Sequence, residues 1–234
     1  MKSFVAKVNL DRHKASQAQE LPPLQISFRS SAFMLPIQLG KLNGDQAQDA
    51  LMMMLTKRGR VETANYRMVE LPTEKVIPTF VEDNFGQFYK TMFSRAKPYN
   101  GVVLEYAWDM QWCDPHAADP LSRDELEELG VFWLKNSDTS GQDVYVTRIH
   151  AQYTQKQMSE DLMFKVTTNK DNFQGRYIMN QPYVGPLQCE AGKEYVETMR
   201  RRLREEAHTL GELTGWAPRD IEKRIRRTVP ASYW

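Results

Sequence analysis

The sequence predicts an α+β protein: a mostly antiparallel sheet with helices packed on one side and a helical C-terminus. Two observations predict it. Strand-type runs follow one another with short polar breaks, whereas a doubly wound parallel sheet needs strands that alternate with helices. Helical periodicity is confined to residues near 79–97, near 122–129 and from 191 onward. Residues 1–190 then form a mainly β region, and 191–234 form a helical segment packed on it within one domain.

Taken in order, Phe4, Ala6, Val8 and Leu10 alternate with polar residues, a strand pattern at the first residues of the chain. Residues 11–23 are polar and end in Leu21-Pro22-Pro23, a loop; Gln25–Arg29 alternates again. Residues 33–39 read as an edge strand, because Pro36 has no N–H for a ladder. For residues 49–57 helix propensity competes with the turn signal of Lys57-Arg58-Gly59-Arg60, and the alternation over 61–71 makes a β-hairpin the expected outcome. Thr79 and Glu82 have capping-box spacing, and Phe85, Phe88, Tyr89, Met92 and Phe93 share one helical face, an aromatic stripe suited to core packing.

Gly101–Trp108 is the most continuous apolar run and reads as a central strand covered on both faces. Ser122 and Glu125 repeat the capping box, and Gly130 stands where a helix stops. Residues 144–153, 162–166 and 175–179 suggest a meander. Tyr195, Val196, Met199, Leu203, Ala207 and Leu210 line one face of a long helix ended by Gly215. Trp216, Pro218 and Ile221 have the spacing of a hydrophobic staple opening a last helix.

Among 234 residues, 31 Lys and Arg stand against 30 Asp and Glu, a net charge of +1. That balance argues against a dedicated nucleic-acid or membrane-surface protein, and no run is apolar enough for a transmembrane segment or a signal peptide. The basic clusters at 200–204 and 223–227 read as solvated helix faces, and in the first Arg201 and Arg202 have Glu197, Glu205 and Glu206 three or four residues away. No phosphate-loop, dinucleotide, zincin or nucleophile-elbow motif is present, so no cofactor is indicated.

The densest chemistry lies in W-C-D-P-H-A-A-D-P, where Cys113, Asp114, His116 and Asp119 fall within seven positions. Thiolate and imidazole suit a transition metal, with Asp109 or Asp119 to complete a set, but a second well-spaced ligand pair is not visible and a metal is not favoured. Cys113 with His116 or His150 as base is the catalytic alternative. The bland alternative makes Asp114-Pro115 a turn and Asp119-Pro120 the lead into the capped helix. Cys113 and Cys189 are the only cysteines and allow one disulfide. Arg176, after a strand glycine, is suited either to an anion or to anchoring a carboxylate.

Six stretches in order resemble an uncharacterised bacterial family catalogued as a domain of unknown function: F-V-A-K-V-N-L, F-M-L-P-I-Q-L-G, L-T-K-R-G-R-V-E-T-A-N-Y-R, E-Y-A-W-D-M-Q-W-C-D-P-H-A-A-D-P-L-S, N-F-Q-G-R-Y and T-L-G-E-L-T-G-W. The resemblance implies an exported protein that normally carries a signal segment and a Cys/Gly-rich N-terminal portion. This sequence has neither, as expected if it begins within a strand. The family pattern W-C-D-P-C has His116 in place of its second cysteine here, which removes a local C-x-x-C pair. Together these point to a non-catalytic binding or scaffold domain acting through protein partners, with a thiol- or metal-dependent enzyme at Cys113 and His116 as the alternative.

Overall fold

The computed structural model describes residues 33–43, 46–112, 121–136 and 143–233. The strand patterns at 4–10 and 25–29 lie outside them. The fold is α+β, and its strands pair mainly antiparallel. It divides into two compact units, residues 1–70 with 98–174, and residues 71–97 with 175–234. Among the described residues no helix is long and apolar enough to cross a membrane.

The first unit is built on β2 (Gln48–Thr56), β4 (Arg67–Glu70), β6 (Gly101–Asp109) and β7 (Tyr145–Tyr153), in the order β2-β7-β6-β4. The two-residue β9 (Phe173–Gln174) pairs with the end of β6. β6 is central as its composition predicts, and Gly101–Glu105 are all buried. It runs parallel to β4, and parallel neighbours need a long crossover. Residues 71–100 supply it, so the first segment of the second unit is this crossover.

A smaller sheet in the order β1-β8-β3 joins β1 (Met34–Leu35), β8 (Leu162–Val166) and β3 (Val61–Thr63). Its Val61, Leu162 and Phe164 share a core with Met52, Leu104, Ile149 and Tyr153 of the larger sheet. Period-two alternation thus puts one face of β2 and β7 into this core and the other outward.

Three strand expectations are corrected. Residues 33–39 give only β1, because Pro36 ends the ladder and Ile37–Asn43 winds into a 3-10 helix. The hairpin across 57–60 does not form: β2 pairs with β7, and β3 pairs with β8. The turn itself is present, with Thr56 Oγ1 donating to the Gly59 carbonyl at 2.5 Å. Beyond it, Arg60 N donates to Asn169 O at 2.8 Å and Thr167 N to Arg60 O at 2.9 Å, which draws the chain onto β8. Gly59 has φ 153°, and a Cβ there would sit 2.4 Å from Asn169 O, so this close approach needs glycine. The meander is absent because β8 pairs with β1 and β3, while β10 (Tyr177–Ile178) joins β5 (Lys75–Val76) in parallel.

The second unit holds β5, β10, α1 (Phe85–Ala96), α3 (Glu190–Thr214) and α4 (Pro218–Thr228). The capping box at Thr79 is not formed: Thr79–Asn84 is a 3-10 turn entered from Pro78, without a side-chain cap, and the α-helix starts at Phe85. Of its predicted stripe, Phe88, Met92 and Phe93 are buried, whereas Phe85 is exposed at the first position of the helix and Tyr89 is half-buried; Phe88 stands edge-to-face on Tyr177 at 4.8 Å between centroids. In the first unit, the Ser122–Glu125 box does close the short α2 (Arg123–Glu128), and Gly130 follows at φ 91°. Gly215, at φ 71°, ends α3, and Pro218 opens α4, which buries Ile221 and Ile225.

α3 also buries a residue its apolar stripe hides. Glu206 is 3% exposed, with Oε1 3.1 Å from Arg202 Nε one turn earlier. Burial raises its carboxyl from the ordinary 4.5 to about 7, against the pull of Arg202. The folded state therefore holds this proton more tightly than the unfolded chain. Its stabilising effect is complete below about pH 4.5 and is lost as the pH rises through about 7. Glu206→Gln should gain on the wild type by on the order of 2–3 kcal/mol between about pH 5 and pH 8, read by urea denaturation at each pH. A difference that stays constant with pH would contradict this.

Candidate functional site

An acidic residue inside the apolar run V-V-L-E-Y-A-W must find a partner once that run becomes a central strand. The register between β6 and β7 shifts between Leu104 and Tyr106, a β-bulge that leaves Glu105 as the extra residue. The bulge turns its carboxylate onto β7. Oε1 lies 2.7 Å from His150 Nδ1, and Oε2 lies 2.7 Å from Arg148 Nε as a close ion pair. His150 Nε2 meets Asp49 Oδ1 of β2 at 2.9 Å, and Gln152 Nε2 donates to the same oxygen at 3.1 Å. Each ring nitrogen of His150 thus has a carboxylate oxygen within hydrogen-bond distance, which fixes the plane of the ring. Acid and base thus alternate across three strands as Asp49, His150, Glu105 and Arg148. Glu105 and His150 are buried, whereas Asp49 and Arg148 reach the surface.

This chain crosses the outward face of the five-stranded sheet. The register sets Leu51 opposite His150 and Met53 opposite Arg148, with Tyr106 next on β6. Leu51 is 57% exposed and Met53 71%, although both sit within a nine-residue strand. Tyr106 and Trp108 stack at 6.0 Å between centroids on the same face. An immobilised arginine among exposed Leu and Met side chains and stacked aromatics is a composition suited to protein contact. The sequence singles out His150 only as a candidate base for Cys113 and gives no sign of the bulge, so it does not point to Glu105 or Asp49.

A second polar assembly closes one end of the sheet and joins stretches that carry the family resemblance. Arg60 is buried, with Nη1 2.8 Å from Glu70 Oε1 and Nη2 donating to Asp171 O at 3.0 Å. Tyr145 donates its hydroxyl to the same carbonyl at 2.8 Å, and burial pushes that phenol up, opposed by Arg60. Asp109 N donates to Asn172 Oδ1 at 3.0 Å, and the buried Asp109 carboxylate takes Lys170 Nζ at 2.9 Å and Gln111 N at 3.1 Å. Residues 109–112 form a turn, with Trp112 N donating to Asp109 O at 3.0 Å.

Of the residues singled out by sequence, Cys113, Asp114, His116 and Asp119 lie outside the described residues, just beyond this turn. Cys189 is exposed at the N-cap of α3. Arg176 is half-exposed and pairs with Glu74 at 2.6 Å. Among the described residues no three His, Cys, Asp or Glu side chains are grouped to hold a metal ion.

A family model described as Uncharacterized protein conserved in bacteria (DUF2330) matches residues 1–165, and the chain belongs to that family. No curated protein and no solved structure matches the chain. The matched span contains the whole Asp49–His150–Glu105–Arg148 chain, while α3 and α4 follow it.

The Asp109–Lys170 pair yields an asymmetric expectation. The Asp109 side chain is 5% exposed and that of Lys170 is 44%. Losing the lysine strands a buried charge, whereas losing the aspartate leaves an ammonium that water can solvate. Lys170→Met should cost about 2–3 kcal/mol in urea denaturation, and adding Asp109→Asn should recover at least about half of it. Simple additivity of the two substitutions would refute a buried, charge-compensated carboxylate.

Proposed function

We propose that this chain is a non-catalytic binding domain that engages a bacterial protein partner through the outward face of β2, β7 and β6. The observation that carries it is the exposure of Leu51 and Met53 beside an arginine pinned by a buried carboxylate. A flexible surface arginine loses rotamer freedom on binding, but one already held by Glu105 has less to lose. Its side chain is 40% exposed, and a guanidinium has five donors, so a partner carboxylate can take those Glu105 does not. The partner this face fits presents apolar side chains to Leu51 and Met53 and an acidic residue to Arg148.

In the host bacterium, a photo-crosslinking residue at Met53 should give a discrete heavier adduct that the same residue at the exposed Lys156 does not. Leu51→Glu should reduce that adduct about tenfold or more with the fold intact. A product of unchanged mass, linking position 53 to the chain's own residues, would overturn the proposal. So would equal yields at the two positions.

A further inference from the structure

The two basic clusters of the C-terminal helices differ in their surroundings. On α3, Arg200 pairs with Glu197 at 2.6 Å and Arg202 with Glu206 at 3.1 Å, as the sequence spacing anticipates. On α4, Arg219, Lys223 and Arg227 are all exposed, and among the described residues none of them takes part in an ion pair. They stand four residues apart, so they form one row about 12 Å long on a helix that rises 1.5 Å per residue. With Glu222 and Arg226 they line a single open surface depression. Four cations and one carboxylate therefore share a surface on a chain whose total charge is +1.

That surface is held firmly. Ile221 and Ile225 are fully buried on the inner side of α4. Arg224 lies over the rings of Phe80 and Trp216, at 5.7 and 5.2 Å from their centroids. The apolar side of the helix and the aromatics nearest its arginines are thus already engaged within the unit. What faces outward is an open surface with an excess of positive charge. It suits a dispersed array of negative charge, met without insertion of apolar side chains and without base stacking.

We propose that the outer face of α4 adsorbs the protein to an anionic lipid surface through headgroup phosphates. The contact is peripheral and electrostatic, with Arg219, Lys223 and Arg227 as its donors. It is independent of the sheet face and of any partner bound there.

Flotation of the full chain with vesicles tests this. Vesicles of phosphatidylcholine with about one-third phosphatidylglycerol should carry the protein at low salt, and vesicles of phosphatidylcholine alone should not. Binding should disappear near 1 M salt, where the Debye length is about 3 Å. The variant R219E/K223E/R227E should lose about tenfold or more of the bound fraction. R58E/R67E/K156E, which reverses three exposed cations of the first unit, should lose far less, and both variants should keep the wild-type circular dichroism. Equal loss in the two variants would mean a net-charge effect and overturn the proposal. Equal binding to neutral vesicles would overturn it too, as would binding of short duplex DNA in place of vesicles. Displacement by inorganic phosphate but not by chloride at matched ionic strength would replace the surface with a discrete phosphate site.

Discussion

A carboxylate in the middle of a central β-strand constrains everything around it. Burying Glu105 unpaired would cost several kcal/mol, comparable to much of a domain's net stability. β6 answers with a bulge that hands the acid to Arg148 and His150 of β7, and His150 passes the constraint to Asp49 on β2. The chain of alternating charge is thereby a register lock. A slip of β7 by one residue would exchange His150 and Arg148 with Ile149 and Ala151, leaving the acid unpaired and turning polar groups into the core. A buried ion pair is weak grounds for stability in itself, but it discriminates strongly among alternative pairings.

The same logic of long-range over local pairing governs the turn at 57–60. Read locally, Lys57-Arg58-Gly59-Arg60 between two alternating runs is a hairpin. Its outcome is decided about a hundred residues later, where Thr167, Asn169 and Asp171 present the groups that take Arg60's backbone and guanidinium. Since Arg60 and Asp109 are both buried and both find their partners in 169–172, this loop ties the turn after β2 to the end of β6. That tie fixes the backbone from which the Cys113–Pro120 stretch departs.

What the sequence made legible follows from range. The central strand over 101–108, the Phe88, Met92 and Phe93 part of the α1 stripe, the Ser122–Glu125 cap and the Gly215 and Pro218 boundaries rest on contacts within a few residues and are legible in the sequence. The bulge, the Asp109–Lys170 pair and the partners of β3 and β8 join residues that are tens of positions apart or more, and local periodicity carries no information about them. The Thr79 cap failed on a local point: Pro78 enters a 3-10 turn, so the first helical turn has a geometry in which Thr79 is not the N-cap. Glu206 shows the opposite failure. An i,i+4 pair with Arg202 looks like a solvated face by sequence, and only packing reveals that this acid is on the inner side.

The outward face of the sheet and the outer face of α4 differ in how their charge is matched. On the sheet, each charge is matched by a neighbour, so the free energy available to a partner comes from Leu51, Met53 and the aromatic stack, with charge setting orientation. Such a face selects by shape and is only weakly sensitive to salt. On α4 the apolar side chains are spent on the core, and the outward surface carries an excess of positive charge, so the attraction proposed for it is long-ranged, unselective and quenched by salt. The two proposals are complementary: adsorption through α4 raises the local concentration at which the sheet face meets a partner, and the sheet face supplies the selectivity that adsorption lacks.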